Sequence, residues 1–324
     1  MEVSNGVPVR EQQRCMVLMK RGKTINGWLA INKPPGLTST AVVSRVKRAT
    51  NAAKVGHGGT LDPLATGVLP IALGEATKTV QYVMDGFKRY RFVIRWGEER
   101  DTDDAEGQVI AVSDHRPSAE AIRTVLPAFT GVIEQIPPRF SAIKVDGRRA
   151  YEIARSDGAV PALKPRPVHI DSFVLLDQPD ADCALFEVRS GKGAYMRALA
   201  RDVARALGTT GHIVALRRTA CGPFHDDRTI SLDKLEEVGH SVAASAYLLP
   251  IATALDDIPA LAVNEQEAYH LGNGQPVPVL RILSRNAQVP LVAGDIIRAM
   301  TDGQVVALAR IEGGELRPLR VLNL

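Results

Sequence analysis

The chain has 324 residues, enough for one large domain and a smaller one. Hydrophobic residues make up 45% of it and charged residues 23%, values that exclude a disordered or fibrous protein. The formal net charge of +4 is compatible with a nucleic acid as partner but does not require one.

The cysteines indicate a reducing compartment. Cys15, Cys183 and Cys221 are far apart and show no C-x-x-C spacing, so neither a disulfide framework nor a zinc site is predicted. No run approaches 18 apolar residues, and the first 26 residues lack the pattern of a secretory signal. We therefore expect a soluble cytoplasmic protein that binds no membrane and no metal.

The first predicted elements lead to one unusual loop. Residues 1–24 are a basic segment without periodicity, expected to be a mobile tail. Residues 27–32 (GWLAIN) are typical of a buried strand, and KPPG then predicts a turn. A helix should follow from Thr40, capped by Thr38 or Ser39. Its apolar stripe comprises Val42, Val43, Val46 and Ala49.

The stretch from Val55 to Gly74 reads VGHGGTLDPLATGVLPIALG and carries a candidate catalytic carboxylate, Asp62. Because Pro63 follows, the backbone of Asp62 is pushed into an extended conformation, which projects the side chain from a loop. The glycines around His57 allow positive φ angles and close approach of another chain or a ligand. The alternative is a tight turn before a core strand, with Asp62 bonded to its own backbone.

The remaining periodicities predict a chain that alternates strands and helices. We expect a helix over 75–84, a strand over 90–96 with Phe92, Ile94 and Trp96 on one face, and a helix over 117–129. Two strands should follow within 173–190. An amphipathic helix is expected over 197–207, with Leu199, Val203, Ala206 and Leu207 inward and Gly208 at its end, and then a strand over 212–218. Beyond about residue 250, turn signals at 272–274, 302–303 and 313–314 predict short strands.

Two further segments are rich in charge. Residues 101–107 (DTDDAEG) are acidic, but the glycine falls one place late for a calcium loop and no glutamate stands at the twelfth position. Residues 136–157 mix aromatic residues with basic ones, among them Arg139, Lys144, Arg148 and Arg149. This mixture favours RNA contact and a solvated surface hairpin about equally.

Several motifs together resemble the TruB family of tRNA pseudouridine synthases. The signature G-H-x-G-x-L-D-P-x-A-x-G is matched from Gly56 to Gly67, K-P-x-G-x-T-S from Lys33 to Ser39, and G-x-Y-x-R from Gly193 to Arg197; K-R-Y ends at Tyr90. The matches cover roughly residues 27 to 230 strongly. The resemblance implies an α/β (α+β) fold with a mixed, mainly antiparallel central sheet.

The same resemblance implies a division of the chain and a substrate. A catalytic domain would span 25–250, with a thumb-like insertion at about 136–167 that folds onto the tRNA, and a small β-rich, PUA-like RNA-binding module would span 251–324. A stabilising β appendage is the alternative for that module. The implied activity is isomerisation of uridine 55 in the T arm of tRNA, with no cofactor.

The family's roles can be carried over to residues that match its motifs. Asp62 would be the catalyst, as nucleophile on the sugar or base or as a base at the sugar, and Arg197 would bond it bidentately. Tyr90 would lie against the flipped base, and His57 would stack into the space left in the RNA. The pocket wall would include Tyr195 and Leu216, Asp104 would orient site groups, and Lys33 would support the site or a phosphate.

Two other functions remain compatible with the sequence. One is the catalytic subunit of a guide-RNA pseudouridylation particle, which shares these motifs; the long insertion favours the stand-alone form. The other is a non-catalytic RNA chaperone or scaffold, against which the presence of Asp62, Tyr90 and Arg197 argues. Nothing in the sequence demands more than a monomer, and no obligatory protein partner is expected.

Overall fold

A computed structural model describes residues 22–141, 144–145, 148–149, 163–239 and 246–324. For 144–145 and 148–149 it describes the backbone alone. Most of the predicted tail and insertion therefore lies outside the described residues. Within the segment assigned to the tail, Lys23 forms a bridge with Ala52.

The strands form two main sheets and two small hairpins. The strands are β1 Gly27–Lys33, β2 Val55–His57, β3 Thr66–Leu73, β4 Lys88–Trp96, β5 Glu98–Arg100, β6 Val109–Val112, β7 Gly131–Gln135, β8 Lys144–Val145, β9 Arg148–Arg149, β10 Arg166–Asp177, β11 Cys183–Ser190, β12 Gly211–Cys221, β13 Phe224–His225, β14 Ile230–Ser231, β15 Ala260–Ala262, β16 Val277–Pro278, β17 Ile296–Thr301, β18 Gln304–Glu312 and β19 Glu315–Val321.

The central sheet has the order β14-β1-β3-β12-β4-β11-β10-β7, with β2 beside β3 and β13 beside β12. Its pairings are antiparallel except for β1 with β14 and β12 with β3. The predicted mixed, mainly antiparallel sheet is confirmed. The chain neighbours β3 and β4 are not adjacent, because β12 returns from far along the sequence and lies between them.

The described α-helices pack on this sheet or belong to the C-terminal region. They are α1 Ser39–Thr50, α2 Val80–Asp85, α3 Ala119–Val125, α4 Met196–Ala206, α5 Leu232–Val238, α6 Glu265–Gly272 and α7 Val279–Arg285. The predicted helix over 75–84 divides into a 3₁₀ segment, Gly74–Thr79, and α2. The helix over 117–129 likewise becomes α3 followed by a 3₁₀ turn, because Pro127 follows Leu126.

Strand β1 is apolar from Gly27 to Ile31, and both of its faces are covered. Leu29 and Ile31 belong to the larger core, shared with α1 and α4. Trp28 and Ala30 point the other way, into a second core that includes Leu308 of β18. The second core therefore joins the central sheet to the C-terminal region.

Two of the helices have the terminal residues that the sequence predicts. The side chain of Thr38 accepts the N–H of Ala41 and caps α1. Helix α4 buries Leu199 and Val203 as expected, and Gly208 follows it with φ of +70°. The inward position predicted for Ala206 is wrong, because the last turn of α4 leaves this residue exposed.

The C-terminal region forms a five-stranded sheet with the order β15-β17-β18-β19-β16. Tight turns at 302–303 and 313–314, all with positive φ, join β17 to β18 and β18 to β19, as predicted. The turn expected at 272–274 instead follows α6, whose capping box at Asn264 and Glu267 was not anticipated. No helix of the described residues is long and apolar enough to cross a membrane.

Candidate active site

Asp62 lies in the loop between β2 and β3, and the backbone of this loop is held on several sides. The Ser39 hydroxyl accepts the Leu61 N–H at 2.8 Å and donates to the Leu61 carbonyl at 3.1 Å. The N–H of Gly36 donates to the Pro63 carbonyl at 2.9 Å. The KPPGLTS segment therefore fastens the loop on both sides of Asp62, whose side chain remains one-third exposed.

Lys33 is completely buried beneath the same loop. Its ammonium group donates to the carbonyls of Pro34, Pro63 and Ala65 at 2.9, 3.0 and 2.6 Å. Burial lowers the pKa of Lys33 to about 8, and the nearby Asp62 opposes that shift. Of the two roles expected for Lys33, support of the loop fits this position, because the side chain has no surface to offer a phosphate.

The guanidinium of Arg197 joins three segments of the chain. Its Nε donates to Oδ2 of Asp62 at 2.9 Å, its Nη1 to the Thr102 carbonyl at 2.9 Å, and its Nη2 to the Phe140 carbonyl at 2.9 Å. The expected bidentate bond to Asp62 is wrong, because both terminal nitrogens are used elsewhere. Oδ1 of Asp62 takes no part in this hydrogen bond.

The acidic turn at 101–107 is built against Arg197 and Arg201, one helical turn apart on α4. Oδ2 of Asp104 lies 3.4 Å from Nη1 of Arg197, and both side chains are almost fully buried. Asp103, with φ of +60°, lies 3.1 Å from Arg201. Burial raises the pKa of Asp103 to about 6, against the pull of Arg201 and Arg197. The turn thus supports Arg197 from behind.

Arg201 also reaches residue 136, where the predicted insertion begins. Its Nη2 donates to the Ile136 carbonyl at 2.7 Å, as Nη2 of Arg197 does to that of Phe140. The two arginines therefore hold the backbone at residues 136 and 140, in the first part of the predicted insertion. Arg139 lies between these contacts with an exposed side chain. Lys144, Arg148 and Arg149 belong to the β8–β9 hairpin, and their side chains lie outside the described residues.

Tyr90 lies half-buried on β4, opposite Arg218 of β12 and Val188 of β11. Burial raises the pKa of its phenol, and the Arg218 guanidinium opposes that rise. The charge of Asp62 also acts on this phenol, so the two groups belong to one electrostatic site. A carboxylate from the β2–β3 loop and a phenol from β4 thereby act on each other electrostatically.

His57 ends β2 beside the loop. Its Nδ1 accepts the N–H of Gly59 at 3.4 Å. Burial and the positive charge of Arg218 lower the pKa of His57, so the ring is neutral near pH 7. A neutral, half-buried ring at the mouth of the loop is able to stack on a base.

Tyr195 precedes α4, and its backbone is fixed by a buried glutamine. The Gln135 amide donates to the Tyr195 carbonyl at 3.1 Å and accepts its N–H at 2.8 Å. Burial raises the pKa of the Tyr195 phenol. Leu216 is 7% exposed within the larger core, opposite Phe92. Tyr195 and Leu216 thus lie on elements adjoining Asp62 and Tyr90.

Some residues that build the site were not identified from the sequence. Arg218, Arg201, Asp103 and Gln135 are buried polar side chains. Only Arg218 left a local signal: it falls two places after Leu216 in a strand, so it shares the inward face, where an arginine is unusual. The others depend on contacts between distant segments.

Comparisons with known proteins show which family the chain resembles. The family model described as "TruB family pseudouridylate synthase (N terminal domain)" matches residues 47–196, and "tRNA pseudouridylate synthase B C-terminal domain" matches residues 197–256. Asp62 lies in the first match, and Arg197 is the first residue of the second.

Curated relatives match over most of the chain. The tRNA pseudouridine synthase B of Rhodospirillum rubrum is 58% identical over 94% of this chain and 99% of its own length. That of Bradyrhizobium diazoefficiens is 53% identical over 99% of this chain and 92% of its own.

Among solved structures, the archaeal box H/ACA sRNP Nop10-Cbf5 complex has a chain with a TM-score of 0.69 and 25% identity, over 93% of this chain and 87% of that one. A Cbf5-Nop10-Gar1 complex gives a TM-score of 0.68 and 26% identity, over 92% of this chain and 85% of that one. The family matches, the full-length relatives and the shared fold lead to one conclusion: this chain belongs to the TruB family of pseudouridylate synthases.

Proposed function

We propose that this protein is a tRNA pseudouridine synthase, which isomerises uridine 55 in the T arm of tRNA. The observation that carries the proposal is the pair formed by Asp62, in its fixed loop, with Arg197 of α4. The charge of Asp62 acts on Tyr90, and the chain is 58% identical to a tRNA pseudouridine synthase B. The position within the tRNA rests on the family resemblance of the motifs.

The reaction requires one bond to break and one to form. The N1–C1′ bond of uridine breaks, the detached base turns over, and a bond forms between C5 and C1′. The proton on C5 leaves and N1 gains one, so the product is an isomer of the substrate and no electrons are gained or lost. A positioned carboxylate and a proton carrier meet these needs.

The residues of the site divide this work among them. Asp62 supplies the carboxylate, which acts on the sugar or on the base, and Arg197 holds it at 2.9 Å. Tyr90 lies against the flipped base and moves the C5 proton through its hydroxyl. Tyr195 and Leu216 form the wall of the pocket. Lys33 holds the loop that carries Asp62, and Asp104 holds the guanidinium of Arg197.

The RNA must present an unstacked base, which costs a few kcal/mol. His57 stacks into the space that the target nucleotide leaves, which suits a neutral ring beside the loop. The basic insertion, at about 136–167 with Arg139, Lys144, Arg148 and Arg149, binds the backbone of the arm. Affinity should therefore fall steeply with salt concentration.

The chain divides into a catalytic domain, residues 25–250, and a PUA-like RNA-binding module, residues 251–324. Support comes from the central sheet, which ends at β14, and from the separate sheet that begins at β15. We also propose that the protein acts in the cytoplasm as a monomer, without an obligatory protein partner.

Tritium release tests this function directly. A tRNA transcript labelled at C5 of uridine is incubated with the wild type, with Asp62→Asn, and with the control Asp85→Asn, whose carboxylate pairs with Lys192 at the surface. Wild type and Asp85→Asn should release label and Asp62→Asn should not. A transcript with cytidine at position 55 should release none.

Other outcomes would favour the alternatives. Tight tRNA binding without release by the wild type would indicate a non-catalytic chaperone or scaffold. Release only after a guide RNA is added would indicate the catalytic subunit of a guide-RNA pseudouridylation particle. Release from a transcript lacking uridine 55 would overturn the assigned position.

A further inference from the structure

Arg218 is a buried cation whose place in the site differs from that of Arg197. It lies on β12 and is 1% exposed. Its Nε donates to the Val68 carbonyl at 2.8 Å, its Nη2 to the Gly59 carbonyl at 3.0 Å and its Nη1 to the Thr60 carbonyl at 3.3 Å. These acceptors lie in β3 and in the part of the loop that immediately precedes Leu61 and Asp62.

Within the described part of the chain, no carboxylate lies within ion-pair distance of Arg218. Removing a cation from water without a counter-ion is costly, and neutral carbonyls offset only part of that cost. A leucine or methionine would fill a strand position at lower cost. Because burying this positive charge is costly, we expect it to have a role in the site.

The charge acts on the groups proposed for the reaction. Arg218 and Tyr90 are directly opposite in the antiparallel β12–β4 pair, so their side chains share one face. The guanidinium opposes the rise in the pKa of the Tyr90 phenol and helps to keep His57 neutral. One side chain thus contacts the backbone of the Asp62 loop and influences both aromatic groups.

Two glycines of the signature lie against Arg218. Gly67, with φ of +95°, lies opposite Arg218 in the parallel β3–β12 pair. A Cβ at Gly67 would lie 2.2 Å from the Arg218 carbonyl oxygen. Gly59 has φ of +133°, and its Cβ would lie 3.5 Å from Nη1 of Arg218. Gly67 therefore lets β3 approach the backbone of residue 218 closely, and at Gly59 the loop passes within ordinary contact distance of the Arg218 guanidinium.

We propose, resting on the function proposed above, that Arg218 is a positioning residue for the isomerisation. It fixes the Tyr90 phenol relative to the loop that carries Asp62, so that both face one nucleotide, and it holds a positive charge beside the phenol. Arg197, on α4, orients the carboxylate. Arg218, on β12, sets the distance between that carboxylate and the phenol.

The test compares Arg218→Lys and Arg218→Met with a control, Lys88→Met. Lys88 is a buried cation of β4 that donates to the carbonyls of Met84 and Gly86, which are not part of the Asp62 loop. Three quantities are measured: the single-turnover rate of tritium release, the Kd for tRNA, and the ultraviolet titration of Tyr90, obtained by subtracting the spectrum of Tyr90→Phe.

We expect both Arg218 variants to fold and to bind tRNA within about threefold of the wild type. Their release rates should fall by about 10²-fold, the size of effect that misplacing a reacting group produces. The Tyr90 phenol should ionise at higher pH in Arg218→Met than in the wild type. In a Tyr90→Phe background, replacing Arg218 should have a much smaller effect than in the wild type.

Several outcomes would overturn the inference. These are release by Arg218→Met within twofold of the wild type, an unchanged Tyr90 titration, or equal losses in the two backgrounds. A failure of both Arg218 variants to fold, with Lys88→Met folded, would make Arg218 a structural residue only. If the wild type itself releases no label, the proposed function fails, and the Tyr90 titration still tests the Arg218 contact on its own.

Discussion

Nε of Arg197 donates to Oδ2 of Asp62 across 2.9 Å, although 135 residues separate the two in the chain. The same guanidinium binds the Thr102 and Phe140 carbonyls with its terminal nitrogens. Because three bonds in different directions fix the plane of the guanidinium, its Nε presents a fixed donor to Oδ2 of Asp62.

Replacing Arg197 with lysine should leave a charge but remove this geometry. An ammonium group cannot span Asp62, Thr102 and Phe140 together, so we expect single-turnover tritium release to fall by about 10²-fold or more. The Kd for tRNA should change little. Arg205→Lys is the matched control on the same helix, since Arg205 pairs with Glu99 at the surface. A rate within threefold of the wild type would contradict this account of Arg197.

Lys33→Met should destabilise the protein and slow the reaction together. The substitution leaves the Pro34, Pro63 and Ala65 carbonyls without their donor, which should lower the free energy of unfolding by about 3 kcal/mol. Urea unfolding measures this change. Lys192→Met, at an exposed lysine paired with Asp85, should lower it by less than about 1 kcal/mol. Equal effects of the two substitutions would show that the buried bonds contribute little.

Comparing Gly67→Ala with Gly131→Ala separates the steric clash with β12 from the cost of placing a residue other than glycine at positive φ. Gly131 has a similar φ, +89° against +95°, but a Cβ there would meet nothing within 4 Å. Gly131→Ala should therefore cost about 1–2 kcal/mol of unfolding free energy. Gly67→Ala should cost at least about 2 kcal/mol more, because its Cβ would overlap the Arg218 carbonyl. Similar melting temperatures for the two variants would refute the close approach.

Asp103 should make stability depend on pH between about 4 and 6. The folded state retains the proton of Asp103 up to about pH 6, whereas the unfolded chain releases it near the ordinary value of 3.8. Since the folded state binds more protons in this window, this group's contribution to the free energy of unfolding falls as the pH rises. At about 1.36 kcal/mol per pKa unit, the loss is on the order of 3 kcal/mol.

Asp103→Asn cannot titrate and should lack that loss. The free energy of unfolding of both proteins is measured by urea unfolding at pH 4.5 and at pH 7. The change in this free energy between the two pH values is then compared for the two proteins. Other carboxylates titrate in both proteins and cancel in this comparison. The assignment to Asp103 fails if the variant and the wild type show the same difference.

Much of the fold was predictable because local chemistry sets it. Strand β1 was recognisable as a continuous apolar run, β4 by alternation, and the start of α1 by Thr38. The loop at Asp62 was recognisable by Pro63 and the surrounding glycines. These signals lie within a few residues of the structure that they determine, and a motif match supplied the identities of Asp62, Tyr90 and Arg197.

The connections among these residues were not predictable in the same way. The insertion of β12 between β3 and β4, the division of the Arg197 guanidinium among three segments, and the burial of Arg218 beneath the Asp62 loop all join positions far apart in sequence. No local propensity encodes which carbonyl a buried guanidinium will meet, because that partner is fixed only when the sheet closes around it. The sequence motifs therefore identify the candidate reacting groups, and packing of distant segments determines how they face one another.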